Sequence, residues 1–551
     1  MFMFAQKHLF KRSRVILGAA LVGAACGLAM PCPAQAKEVD MSSKHNGLYS
    51  DVFNNNLYYE FADYLSFSTL YRKVTGKKKV AGNVNVYDEV ADSSFYTNRH
   101  GRTRLSAAEL TQGGGSGKGP DLSGPLSVIS AKSLGLNPAL FVRDKAGEVY
   151  LFKFDPPDNL ELATSAEVIA SRFYHALGYN ASQTNIVYVE ASQFVPAEAA
   201  RFYDHTGFKH ALTDEALQEL LLFIPYTEDG TFRVSATKLV PGEVQGPFHF
   251  RGRLKKDPED LILHEDRREL RALRVFSSWL NHYDVRRGNT MRSQVQENGQ
   301  SVSKHYILNY NSALGAGAQE AKPPMFAHEH MFDFGQAFRA YLGGGFWEKP
   351  WQKRWREANE TTGSPAVGYF DNRYFDPGKF KVQLPNRAFK NLTNGDAFWA
   401  AKIIMAFTDE DIRALVKTGQ YSKQEDEDTV ADVLIERRNL IGRYWFSRVS
   451  PLDGFDIASG KLVFTDLAVK YGFEQTAETI YRAEIFSKNG NKKRWITAVE
   501  GAEPAVLIDD KWIENTKTVS FVIYTVRQGN AKTSAAVTVN VSPDGIQSIV
   551  H

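Results

Sequence analysis

The chain has 551 residues, 43% of them hydrophobic and 23% charged, with a formal charge of +3. That length allows two or three domains with a sizeable buried core, and the composition is that of an ordinary soluble globular protein. So small a net charge gives no argument for nucleic acid or an anionic membrane surface as partner.

Residues 1–36 read as a secretory signal. Lys7, Lys11, Arg12 and Arg14 form a basic start, Val15 to Met30 is uncharged and apolar, and Ala34-Gln35-Ala36 is a small-x-small cleavage pattern. The apolar run is shorter than the ~20 residues that span a bilayer, so export to the periplasm or cell envelope is expected. Losing the four basic residues would leave a formal charge of −1. A lipid anchor on Cys26 is the alternative, although Gly23 stands where a bulky aliphatic residue is usual. Both cysteines, Cys26 and Cys32, lie in this segment, so the mature chain is expected to hold no disulfide, thiolate metal site or cysteine nucleophile. No later segment is long and apolar enough to cross a membrane.

Residues 37–110 form a polar, aromatic N-terminal extension, with a basic cluster at Lys77-Lys78-Lys79, helical spacing in Leu57 to Leu70 and turn formers from Asn83 to Gly101. Residues 111–125 (TQGGGSGKGPDLSGP) have the composition of a flexible linker. They depart from a phosphate loop, because Gln112 occupies the first glycine position and Gly119 follows Lys118.

Residues 126–245 carry a strand–turn–strand pattern, Ala139 to Val142 and Val149 to Phe154. A helix follows from Thr164 to Leu177, with Ala166, Ile169, Phe173 and Leu177 on one face and Gly178 past its end. Further strands are expected at Ile186 to Glu190 and Phe232 to Leu239. Within residues 246–450 the chain reads as helical from 386 to 448. A strong helix over 266–282 places Leu270, Leu273, Phe276 and Leu280 on one stripe, and a hairpin turns at Glu297-Asn298-Gly299. Helices are expected over Ala397 to Phe407, Asp409 to Val416 and Thr429 to Trp445. Residues 451–551 alternate short strands with turns and read as a β-rich C-terminal region.

The most informative stretch is His282-Tyr283-Asp284-Val285-Arg286-Arg287-Gly288-Asn289, an H-x-D-x-x-x-x-N sequence between a long helix and a hairpin. That is the layout of a kinase catalytic loop. The Asp must orient the attacking hydroxyl, and the Asn must turn an oxygen toward a metal ion near the phosphates. An Asp turn or helix cap is the plainer reading of the same spacing. Upstream, Lys153 lies in an apolar strand and Glu167 near the start of the following helix, the types and order of the kinase ion pair. Thr164-x-x-Glu167 also fits a capping box, and Lys153 fits a strand lysine that snorkels to water. Ser133 and Gly135, just before the first strand, occupy the place of a phosphate-covering turn; an ordinary turn is the alternative.

In this order of parts the chain resembles atypical bacterial kinases of the HipA-like and CotH-like kind. It is more closely similar to a poorly characterised group of exported bacterial proteins of that fold. The segments carrying this resemblance are NVNVYDEVADSSFYTNR (83–99), YLFKFDPP (150–157), HEDRRELRALRVFSSWLNHYD (264–284), HYILNYNSALG (305–315) and FTDEDIRALV (407–416). The resemblance implies an α+β, two-lobed protein-kinase-like fold, with an N-lobe over 126–245, a C-lobe over 246–450 and a C-terminal β-rich extension. It also implies that an Asp holds magnesium where this chain has Asn309. A neutral amide offsets less of a divalent charge. The metal ligands would then be Asn289 and Asn309, with Asp333 of Asp333-Phe334-Gly335 as the alternative. His328-Glu329-His330 invites zinc, but no third ligand is evident, so a solvated or hydrogen-bonding pair is expected.

The expectation is an exported kinase-like protein that binds a nucleotide or phosphorylated small molecule. ATP with Mg or Mn is the cofactor pair to test, and phosphotransfer would be reduced or lost. Lys153, Glu167 and Asp284 would be the catalytic groups, and Lys153, Ser133 and Gly135 would face the phosphates. The alternatives are an active phosphotransferase on an envelope substrate and a non-catalytic envelope interaction protein.

Overall fold

A computed structural model of the protein describes residues 52–58, 74–75, 79–132, 139–204, 208–255, 257, 259–317, 319–323, 325–344, 346–349, 351–352, 356, 364–489, 492–509, 511–512, 518–527 and 535–551. The signal-like segment, Cys26 and most of the Leu57 to Leu70 helix expectation lie outside these residues. No described helix is long and apolar enough to cross a membrane.

The α+β class expected from the sequence is the class observed. In the N-terminal half a seven-stranded sheet runs in the order β4 (Thr184–Val189), β7 (Phe232–Lys238), β3 (Val149–Phe154), β2 (Ala139–Arg143), β1 (Leu126–Lys132), β5 (Phe194–Tyr203) and β6 (Lys209–Ala211). Only β1 and β5 pair in parallel. β2 and β3 are buried along most of their length, which is why their sequences are almost continuously apolar. Lys153 is the charged residue inside that run, placed centrally between Ala139 on β2 and Ser235 on β7.

A short helix, α1 (Ala107–Gln112), opens with a capping box from Ser106 to Glu109. The glycine-rich run after it is not the free linker its composition suggests. Ser116 N donates to Gln183 Oε1 at 3.1 Å and Asn185 Nδ2 donates to Gly117 O at 3.0 Å, so the run is tied along β4. A Cβ on Gly114 would meet Ala181 O at 2.7 Å, so the glycines permit close backbone approach as well as flexibility.

Helix α2 (Leu162–Ala176) is buried along almost its whole length. Its first amides are satisfied from outside the helix. Ala163 N and Thr164 N each donate to Asp155 Oδ1 at 2.8 Å, and Thr164 Oγ1 donates to Asp155 Oδ2 at 2.7 Å. Asp155, the residue after β3, thus does the capping, and the Thr164–Glu167 box is not formed. Glu167 is left for other work. Gly178, with φ 112, lets the chain turn under the Tyr96 ring.

The helical half is built from α4 (Arg268–Trp279), α7 (Asn394–Met405), α8 (Asp409–Lys417) and α9 (Gln424–Phe446), with α3 (Asp214–Leu221), α5 (Phe334–Leu342) and α6 (Arg387–Lys390) at other points of the chain. Leu270, Leu273, Phe276 and Trp279 of α4 enter one large apolar core with Phe173, Trp399, Phe407 and Leu434. The extension is part of this core through Val90, Phe95 and Tyr96. A buried ionic cluster fixes α4 from outside: Arg268 and Arg271 reach Asp396 at 3.1 and 3.2 Å, and Arg268 reaches Asp88 at 2.6 Å.

The C-terminal region is β-rich, with a separate apolar core. One sheet joins β11 (Leu452–Ala458), β12 (Lys461–Asp466) and β15 (Ala505–Leu507). Another joins β14 (Lys492–Gly501), β13 (Thr479–Asn489), β16 (Thr518–Arg527), β17 (Val537–Ser542) and β18 (Gly545–Val550). His551 sits between Asp88 Oδ2 at 3.0 Å and Leu452 O at 2.8 Å, so the β-rich region packs against the 79–105 stretch of the extension.

Candidate functional site

The 282–289 loop leaves the end of α4 through Asn281, whose φ is 50. His282 is fully enclosed. Its Nε2 faces Asn309 O at 3.2 Å and its Nδ1 faces Tyr174 OH at 2.9 Å. A carbonyl can only accept, so Nε2 carries the proton and Nδ1 accepts from the Tyr174 hydroxyl. Burial, followed by the Lys322 charge, pushes the His282 pKa down to about 3, which keeps the ring neutral. The imidazole therefore acts as a strut between α2 and the segment after the hairpin.

Asp284 is half-buried, and its Oδ1 accepts from Arg286 Nε at 2.8 Å. Asn289 Nδ2 donates to Asp284 O at 2.7 Å, which closes the loop and leaves Oδ1 as the atom Asn289 can turn outward. The hairpin β9 (Thr290–Glu297) and β10 (Gln300–Ile307) then returns the chain, with β8 (Glu243–Gly246) on its outer edge. Leu308 N donates to Asn289 O at 2.9 Å, so the residue after the hairpin lands beside the end of the loop.

Asn309 follows in the left-handed region, φ 66, a conformation that Asn tolerates better than most side chains. Lys153 Nζ donates to Asn309 Oδ1 at 2.8 Å and to Glu167 Oε2 at 2.9 Å. The same Glu167 oxygen accepts Asn311 N at 2.6 Å. A strand lysine, a helix carboxylate and the post-hairpin turn, spread over some 156 residues, thus meet at one ammonium. The pair is enclosed, with 10% of the Lys153 side chain and 1% of the Glu167 side chain exposed.

Two further cations belong to this region and were not singled out in the sequence. Lys132 is the last residue of β1 and is exposed, although burial, and after it the charges of Lys153 and Arg286, would lower its ammonium pKa. Arg286 lies on the Asp284 side. A lysine followed by the glycine-poor stretch 133–138, or an arginine two residues after the loop Asp, carries no spacing signal of its own. Ser133 and Gly135 fall outside the described residues. Behind the loop, Lys322 is fully buried against Tyr283, with its ammonium on Ser312 O. Burial pushes its pKa down to about 7, against the opposing pull of Asp284.

The alternative ligand Asp333 stands elsewhere. It caps α5, accepting Gln336 N at 3.2 Å, and pairs with Lys381. His328-Glu329-His330 does not form a metal cluster either. His330 Nδ1 faces Val382 O at 2.6 Å and Glu329 pairs with Lys349 at 3.2 Å. Among the described residues, no group of three or more His, Cys, Asp or Glu side chains converges on a point that could hold a metal. The oxygens around the loop that could face a metal are the amide oxygens of Asn289 and Asn309 and the carboxylate of Asp284. Asn309 Oδ1 already accepts from a cation. This set fits a hard divalent ion poorly, since neutral oxygens offset little of its charge. What the site does offer is positive charge from Lys153 and Arg286, the chemistry that holds phosphate oxygens.

No family model and no curated protein matches the chain. Among solved structures it is similar to the Helicobacter pylori proinflammatory kinase CtkA, at 12% identity and a TM-score of 0.30, over 57% of this chain and 92% of that one. It is also similar to the Golgi casein kinase, at 10% identity and a TM-score of 0.29, over 77% of this chain and 94% of that one. The same kinase with Mn and ADP bound gives 10% identity and 0.29, over 75% and 93% of the two chains. Likeness at that level carries no weight for what the cleft does, which stands on the contacts of Lys153, Glu167, Asn309 and the 282–289 loop.

Proposed function

We propose that this is an exported kinase-like protein that holds a nucleotide or another phosphate compound between Lys153 and Asp284, with a degenerate metal site and reduced or lost phosphotransfer. The observation that carries this reading is the Lys153 ammonium shared between Glu167 Oε2 and Asn309 Oδ1. Glu167 orients the lysine, and Lys153 with Arg286 offsets the phosphate charge. Asp284 would position an acceptor hydroxyl. The neutral Asn309, already engaged by Lys153, supports weak metal dependence.

The test is a thermal-shift titration with ATP and ADP, with and without Mg or Mn. Binding to the folded state alone adds about 1.4 kcal/mol of stability when ligand stands tenfold above Kd. Stabilisation without metal, lost in Lys153→Met, is the expected result. Absence of any shift at millimolar nucleotide would favour a non-catalytic envelope interaction protein.

Retention of Asp284, tied to Arg286 and to Asn289 through its own carbonyl, favours a second reading, an active phosphotransferase on an envelope substrate. Incubation with labelled ATP, beside an Asp284→Ala control, separates the two. Label that persists in the control rules against transfer by this site.

A further inference from the structure

Helix α5 is amphipathic, and the fold turns it the opposite way from α4. In the 3.6-residue period Phe338, Tyr341 and Leu342 share one face, and Gln336 and Ala340 lie on the other. The second face is the one that meets the body. Gln336 and Ala340 are half-buried, whereas Tyr341 is 81%, Leu342 67% and Phe338 61% exposed. Polar ties hold the helix in this sense. Asp333 caps its start and pairs with Lys381, Met331 N donates to Gln383 O at 2.8 Å, and Gln336 Nε2 donates to His328 O at 3.4 Å. Past the helix, Gly343 comes so close to Trp347 that a Cβ would meet the Trp347 Cβ at 2.6 Å, and Phe346 N donates to Gly343 O at 2.9 Å. This tight turn leaves Phe346, 97% exposed, at the end of the helix.

At about 200 Å² for a fully exposed aromatic side chain, Phe338, Tyr341 and Phe346 with Leu342 present roughly 500 Å² of apolar surface, near the top of the range for the largest patch on a monomer. The charge around the patch says what covers it. Arg339 is exposed and, three residues before Leu342, lies next to it on the helix surface. From Phe334 to Glu357 the sequence holds five basic residues, Arg339, Lys349, Lys353, Arg354 and Arg356, and two acids, Glu348 and Glu357. Lys353, Arg354 and Glu357 count through the sequence alone, because they lie outside the described residues. A second copy seated on the patch across a two-fold axis would bring these like charges together, whereas an anionic surface turns them into attraction. Three of the eight tryptophans, Trp347, Trp351 and Trp355, fall in the same stretch. Aromatic rings mixed with Arg and Lys are the side chains that settle at a membrane–water interface.

We propose that α5 and Phe346 form a docking surface for an anionic phospholipid bilayer, on which the protein lies without spanning it. Phe338, Tyr341, Leu342 and Phe346 enter the boundary between headgroups and acyl chains, and Arg339 keeps its guanidinium among the lipid phosphates. The docking surface uses none of the cleft residues, so it stands whether or not the cleft holds a nucleotide.

The probes are vesicles of mixed phosphatidylglycerol and phosphatidylcholine, and vesicles of phosphatidylcholine alone, both with brominated acyl chains that quench tryptophan on contact. Quenching and co-sedimentation are measured on the full-length protein beside Arg339→Glu, the double variant Phe338→Ser with Tyr341→Ser, and Leu222→Ser. Leu222, at the end of α3, is 77% exposed and serves as the control for an apolar side chain elsewhere. All four positions are exposed, so the fold is expected to survive each change. Residues 1–36 are common to every variant and hold no tryptophan, so their apolar run drops out of the comparison. The parent should bind the anionic vesicles, with quenching, and bind phosphatidylcholine less well. Affinity should fall about tenfold or more in the double variant and about fivefold or more in Arg339→Glu, weaken at about 0.5 M salt, and stay unchanged in Leu222→Ser. No binding of the parent at millimolar lipid, equal binding to the two vesicle types, or a double variant that binds as the parent does would overturn the inference. Sedimentation velocity without lipid adds one more arm: a parent dimer that the double variant abolishes would assign the face to a second copy and overturn it as well.

Discussion

Removing either partner of the Lys153–Glu167 pair tests whether the ammonium is structural cement as well as a phosphate contact. Glu167 Oε2 is enclosed and accepts two donors, Lys153 Nζ at 2.9 Å and Asn311 N at 2.6 Å. Lys153→Met leaves that carboxylate buried with the Asn311 amide alone. Breaking a buried pair from one side costs about 3–5 kcal/mol. The lower end, about 3 kcal/mol, applies because the amide remains and 10% of the lysine side chain meets solvent. Glu167→Gln keeps an oxygen for Asn311, and Lys153 retains Asn309 Oδ1, so about 2 kcal/mol is expected. The double variant should cost about 2 kcal/mol less than the sum of the two, because no charge is then left stranded. A chain with several separate cores need not unfold in one step, so the local readout is hydrogen exchange at the Asn311 amide, supported by guanidinium transitions. A loss below about 1 kcal/mol for Lys153→Met, or additivity within about 0.5 kcal/mol, would refute the coupling.

Asp155→Ala should release the first amides of α2 and destabilise the sheet-rich half by about 2 kcal/mol, the upper range for a lost cap because the site is buried; denaturation checks it. Gly178→Ala should cost at least about 2 kcal/mol, since its Cβ would meet the Tyr96 ring at 2.3 Å in a positive-φ turn, and a melting temperature reads the loss. His305 stacks on Phe95 at 3.7 Å, its ring nitrogens have no hydrogen-bond partner among the described residues, and burial pushes its pKa down to about 3. The unfolded chain then binds more protons below about pH 6.5, so stability falls as pH drops toward 4, by up to about 1.4 kcal/mol per pH unit for this group. His305→Phe should flatten that acid slope by the same amount, seen in denaturation midpoints between pH 4 and 7.

The strands and helices with strong periodicity were legible from sequence: β2, β3, α2, α4, the 290–307 hairpin, and the helices at the end of the helical half. So were Lys153 and Glu167, because a strand lysine followed by a helix carboxylate matches the order of a kinase ion pair. The order of parts in the cleft followed from them. β1 and β5 escaped notice because they form the parallel pair, and β5 exposes much of its length and contains Pro196. Asp155 as the cap of α2 was hidden because it lies before the turn rather than at the helix start.

The central claim is that Lys153, not a metal ion, is the main phosphate contact of the cleft. Isothermal titration of the full-length protein with ATP in chelator, then with added Mg, measures it directly. The account predicts binding in chelator that is abolished in Lys153→Met and strengthened by Mg only when Asn309→Asp restores an acid. Binding that requires Mg in the parent, or that survives Lys153→Met, would contradict it.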